Sequence, residues 1–231
     1  MKRVTGKSMM ALVMVLVLMG WWPPAGQAVA ADQPSPVKIS IQKLSNGIFY
    51  PVVRSGIDQE SIRKNINKAF LEHADAIWRK DQAYRKQYEK DKLTGIPGPY
   101  YASTRPYVRF NDGRLLSVSF VDEAYTGGAH GMHYEKTYNF KTDTGEQLQL
   151  GDVVTNQTQL DQVNDYVKNQ MIELKKAGRY DFFIDSFKGI DQKEGQFYFD
   201  RDGITLVFQE YEVAPYSNGI IHIHVPREVF K

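Results

Sequence analysis

The chain has 231 residues, 42% of them apolar and 24% charged, with 18 Gly, 10 Pro and no Cys. That composition excludes a disordered, collagenous or multi-span membrane protein and fits one or two globular domains. The formal charge of +2 is uneven, because residues 1–30 hold Lys2, Arg3 and Lys7 and no acid. Without those three, the basic residues number one fewer than the 27 acidic ones, so no global field draws in nucleic acid or anionic lipid, and no nucleic-acid partner is expected.

Residues 1–30 have the order of a secretory signal peptide: a basic start, the apolar run Met9–Trp22, the breakers Pro23, Pro24 and Gly26, and then Ala28-Val29-Ala30. As a helix the apolar run would span about 21 Å, short of a hydrocarbon core of roughly 30 Å. Cleavage near Ala30 is expected, leaving a secreted, extracellular chain with no stable membrane anchor. Having no Cys, it can carry no lipobox thiol, disulfide or thiolate metal site.

Residues 31–36, with two prolines, read as a short linker. Val37, Ile39 and Ile41 alternate with polar residues, Asn46-Gly47 signals a turn, and Ile48 to Val53 reads as the partner strand of a hairpin. From Asp58 to about Lys90 the period changes. Ile62, Ile66, Phe70, Ile77 and, more loosely, Tyr84 and Tyr88 mark an amphipathic helix, with Asp58 placed to cap it. Thr94 to Pro99, with two Gly and two Pro, ends it.

A second hairpin follows: Tyr100 to Phe110, a turn at Asn111-Asp112-Gly113, and Leu115 to Val121, where Leu116, Val118 and Phe120 face the core opposite Ser117 and Ser119. Past a Gly-rich segment comes Met132 to Phe140, then a Thr142–Gly145 turn toward a strand at Gln147 to Leu150. Leu160, Val163, Val167, Met171 and Leu174 place a second helix over Gln157–Ala177, with Gly178 at its C-terminal cap. Strands at Gln196–Phe199, Ile204–Gln209 and Ile221–Val225 close the sequence. The predicted class is α+β, with antiparallel sheets and two main helices packed on one side. The halves 37–140 and 141–231 are expected to share a sheet and pack as one unit.

Three glycines and two histidines lie in Gly127-Gly128-Ala129-His130-Gly131-Met132-His133, a spacing open to a metal reading through His130, His133 and Glu135 or to a glycine loop fixed by its histidine. His222 and His224 share one face of a strand, as two ligands that hold a cation together with a third or as its wet side. Asp122-Glu123 and Glu210-x-Glu212 could serve a hydrolase only if two carboxylates were fixed at a set separation. No nucleophile elbow, P-loop or dinucleotide fingerprint is present, and neither metal nor cofactor is expected. The segment Tyr211 to Gly219 carries two tyrosines, side chains that anchor partners at small entropy cost.

The series Tyr125-Thr126-Gly127-Gly128-Ala129-His130-Gly131, Tyr138-Asn139-Phe140, Leu148-x-Leu150-x-Asp152 and Phe208-x-x-Tyr211-Glu212-x-Ala214-Pro215-Tyr216-x-x-Gly219 resembles a pair of extracellular domains of Gram-positive bacteria. These domains occur in lysozyme-sensing anti-sigma factors of the RsiV type and ahead of the catalytic domain in peptidoglycan deacetylases of the PdaC type. The resemblance spans about residues 37–230. Only eight residues precede Met9, where such factors carry a sigma-binding segment, so the sensing module alone is expected. The resemblance implies a non-enzymatic cell-envelope module recognising a hydrolase such as lysozyme, or peptidoglycan. Its ligand-binding loops would hold Tyr125, Thr126, Gly127, Gly128 and His130, and Ala214, Pro215 and Tyr216. The competing expectation is a metal-dependent or carboxylate-based hydrolase of wall polymer using His130, Glu123 or Glu212.

Overall fold

The computed structural model describes residues 34–231, which fall within one compact unit. The leader read over residues 1–30 lies outside the described residues. The hairpin β1 (Lys38–Ser45) and β2 (Ile48–Ser55) turns at Gly47, whose φ of +73° needs no Cβ. Helix α1 (Glu60–Asp91) leads to β3 (Tyr101–Asn111), β4 (Leu115–Tyr125) and β5 (Met132–Lys141), and these strands form one sheet in the order β1-β2-β3-β4-β5. After α2 (Gln157–Lys176), strands β6 (Gln196–Phe199), β7 (Gly203–Phe208) and β8 (Ile221–Pro226) form a second, antiparallel sheet. The fold is α+β. None of its described helices is long and apolar enough to cross a membrane.

Several expectations need correction. The first sheet is mixed, since β2 and β3 run parallel with Ile48 opposite Thr104. The turns around it are short, but α1 is itself the crossover that a parallel pair requires. The halves do not share a sheet: the predicted strand at 147–150 reduces to one bridge between Gln147 and Phe140, and Leu150 begins a 3-10 turn. Asp58 does not cap α1. The helix starts after Gln59 without a side-chain cap, and Glu60 supplies the acidic charge of its first turn. By contrast, the Asn156 side chain accepts the Gln159 N–H at the start of α2, and Gly178 lies beyond its end at φ +69°.

Each helix covers its own sheet. Ile62, Ile66 and Phe70 of α1 pack on Val53, Leu116, Val118, Phe120 and Phe140, with the Phe70 and Phe140 rings edge to face at 5.7 Å. Val163, Val167 and Met171 of α2 pack on Phe197, Leu206 and Ile223. The inner face of α1 also carries a buried acid: Asp81, only 2% exposed, accepts the Ala102 N–H at 3.1 Å and the Arg85 guanidinium at 2.7 Å.

Where the two sheets meet, the seam is polar. Ser117, Ser119, Glu135, Thr137 and Asn139, on the face of the first sheet away from α1, are all buried. Three of them satisfy the free edge of β6. Thr137 Oγ1 accepts the Phe197 N–H at 3.2 Å, the Asn139 amide donates to Phe197 O at 2.9 Å, and Ser117 Oγ accepts the Phe199 N–H at 3.0 Å. The second sheet returns the favour to β5: Gln196 accepts the Thr137 N–H, Gln209 bonds both backbone groups of Glu135, and Glu210 accepts the His133 N–H. Two edges that would otherwise stay open are thus closed by side chains. Leaving one such buried group unpaired costs about 1–3 kcal/mol.

Candidate functional site

The segment between β4 and β5 is shaped by its glycines. Gly127 lies at φ +91°, and a Cβ there would stand 2.7 Å from the Ile96 side chain, so the close approach requires glycine. Tyr125 closes the loop by donating its hydroxyl to Gly128 O at 2.9 Å, and its ring lies 6.1 Å from that of Tyr101. The Tyr101 hydroxyl donates to Glu123 at 2.5 Å; this bond, aided by burial, pushes the phenol pKa up to about 12.

The second loop joins β7 to β8 and is anchored from inside. Val213 and Ala214 are 5% and 2% exposed and belong to the second core. Their burial drives the flanking tyrosines outward. Tyr211 is 53% exposed and sits at φ +66°, a left-handed conformation costing a non-glycine residue about 1–2 kcal/mol. Pro215 leads into a short 3-10 turn, Tyr216–Asn218.

The two loops meet. His130 stacks on Tyr216 with ring centroids 3.7 Å apart and planes 19° from parallel, and Tyr211 lies 5.8 Å from Tyr216. Beneath them, His133 Nδ1 lies 2.7 Å from a Glu210 carboxylate oxygen, tying the start of β5 to the base of the second loop. A groove of about 310 Å³ runs alongside, lined in part by Lys80, Glu123, Met132, His133, Tyr134 and Glu210. Aromatic faces beside carboxylates suit a flat or cationic group presented by a partner.

Of the predicted site residues, Tyr125, Thr126, Gly127, Gly128, His130, Pro215 and Tyr216 lie in these two loops, whereas Ala214 points into the core and presents nothing to a partner. Tyr101 and the pairing of His133 with Glu210, which the sequence offers only as a candidate hydrolase carboxylate, also belong to this end of the molecule. The register that sets Tyr101 opposite Tyr125 and Glu123 opposite His133 brings Tyr101 and His133 to this end of the sheet, and Glu210 comes from the base of the second loop. The histidines disperse. His130 Nδ1 lies 2.8 Å from Gly131 O, His222 reaches Glu135 at 2.9 Å, and His224 lies 3.2 Å from Asp202. Glu135 is shared with Arg109 at 2.7 Å and lies away from His130. Among the described residues, no group of three or more His, Asp or Glu could hold a metal. Glu212 accepts the Gln209 N–H at 2.7 Å within its own loop.

Comparison with known proteins follows the same division of the chain. Residues 41–133 match the family model described as deacetylase PdaC, and residues 151–228 match that of a protein family of unknown function, DUF3298. No curated protein matches. A DUF3298 family member from Bacteroides fragilis superposes with a TM-score of 0.64 at 19% identity, over 85% of this chain and 92% of that one. Another, from Pseudomonas aeruginosa, gives a TM-score of 0.53 at 14% identity, over 86% and 93%. At these identities the likeness establishes the fold alone. The chain therefore joins a PdaC domain at residues 41–133 to a DUF3298 domain at residues 151–228.

Proposed function

We propose that this protein is a secreted, non-enzymatic binding module of the cell envelope that recognises a cell-wall hydrolase such as lysozyme, or a wall glycan. The loops at 125–131 and 211–219 form its contact surface. The observation that carries this reading is the stack of His130 on Tyr216, which makes one platform from two distant segments. Tyr211 supports it. An exposed aromatic held in a strained backbone conformation gains little for the fold and much for a partner. The basic and apolar leader supports export.

The test is parallel titration of the purified protein, residues 31–231, with lysozyme and with peptidoglycan, reading muramidase inhibition as well as affinity. Saturable binding with inhibition supports a soluble sensor or decoy; binding to peptidoglycan alone assigns the platform to glycan. Binding to neither, or turnover of peptidoglycan by the protein itself, refutes the proposal.

A further inference from the structure

A second surface lies on the first sheet, on β1 to β3. There β2 and β3 share the single register pair Ile48 and Thr104, and beyond it they part. A groove of about 260 Å³ opens, lined by Ile41, Phe49, Arg105, Pro106 and Tyr107. Ile41 and Tyr107 are 49% and 45% exposed, large apolar groups left open to solvent, although the Arg109 guanidinium lies 5.0 Å over one face of the Tyr107 ring. Arg105 is exposed and forms no ion pair among the described residues; its guanidinium carbon lies 6.0 Å over the Phe49 ring. Lys43, directly opposite Phe49 on β1, is also exposed and bonds only the Asn46 amide. None of the five lining residues is acidic. The nearest carboxylate along the Arg105 row of the sheet is Glu135, reached through Val121, and Arg109 and His222 already hold it.

We propose that this groove binds an anionic glycan, with Arg105 taking a sugar carboxylate and Phe49 and Tyr107 stacking on the pyranose faces. An unpaired arginine forks naturally onto a carboxylate, and Lys43 adds a second positive charge in the same row. Aromatic and proline rings set along an open strip offer flat apolar faces to a sugar ring. An extended peptide fits less well. Pro106 in the groove and Pro51 opposite Ile41 have no amide N–H, so an incoming main chain would find donors missing at both walls. The surface is separate from the two-loop platform and stands independently of the function proposed for it.

The probe is polygalacturonate, titrated into the purified protein at low salt, with its fully methyl-esterified form and polyphosphate as comparison arms. Expected are binding of the acid form at least tenfold tighter than of the ester, and a loss of about tenfold in both Arg105→Gln and Tyr107→Ala. Lys86→Gln on α1 should bind as the unmodified protein does. Arg105 and Tyr107 are exposed, and circular dichroism verifies that their variants stay folded. Equal binding of acid and ester overturns the proposal. So does Arg105→Gln with unchanged affinity, or polyphosphate binding as tightly as polygalacturonate while Tyr107→Ala has no effect, which reduces the surface to charge alone.

Discussion

His130 and Tyr216 come from different domains and stack at 3.7 Å, so the proposed platform rests on two single side chains. Glu135 plays the matching structural part in the seam. Burial pushes its carboxyl up, but hydrogen bonds with His222 and Ser119 and the charges of His222 and Arg109 more than offset this and hold it below the usual carboxylate value. A group with a lowered folded pKa stabilises the fold above its unfolded value, near 4.3 for Glu, and that contribution fades as pH falls through the folded value. We predict that Glu135→Gln lowers stability at pH 7 by about 2 kcal/mol and loses less on acidification to pH 3 than the unmodified protein, as read by urea midpoints. An equal loss in both would contradict the role given to this carboxylate. At this scale the sequence was legible for His130 and Tyr216, because an odd glycine loop and an aromatic turn stand out locally. Tyr101 was not, since it reaches the site only through the pairing of β3 with β4, and the bond from Glu210 to His133 spans two segments that no local pattern links.

Element by element, the helices were the most readable parts. Their cores repeat every three or four residues, and both formed where the periodicity placed them, although α1 dispenses with Asp58 as its cap. Strand faces were harder. Ser117 and Ser119 alternate with Leu116, Val118 and Phe120 as on a half-wet strand, yet both serines are fully buried under the second sheet. Alternation tells which residues share a face and is silent on what covers it. From the edge-capping bonds we predict that Asn139→Ala, which leaves Phe197 O without its donor, destabilises the protein by about 1–3 kcal/mol, measured by denaturant unfolding. The loop carrying Tyr211 should behave oppositely. Tyr211→Gly relieves a positive φ and is expected to leave stability unchanged or raised by up to about 1 kcal/mol while weakening partner binding. A thermal shift downward by several degrees would show that the ring serves the fold instead.

At the scale of the whole molecule, the two sheets are joined by hydrogen bonds that each supplies to the other's strand edge. Two edges closed in this way should not open separately. Calorimetry of the purified protein is therefore expected to show one cooperative transition, and two resolved transitions would contradict a shared seam. The class of fold was legible because element order decides it. The parallel β2–β3 pair was hidden because α1 reads equally well as a helix lying on an antiparallel sheet. The proposed contact surface lies where the two domains meet, with His130 on one side and Tyr216 on the other. Its most direct test is calorimetric titration of lysozyme into the unmodified protein, His130→Ala, Tyr216→Ala and the double variant. If the two rings act as one anchor, each single change weakens binding about tenfold, within the range of an interface hot spot, and the double change is little worse than either alone. No binding by the unmodified protein, or full affinity retained in both single variants, would contradict the account.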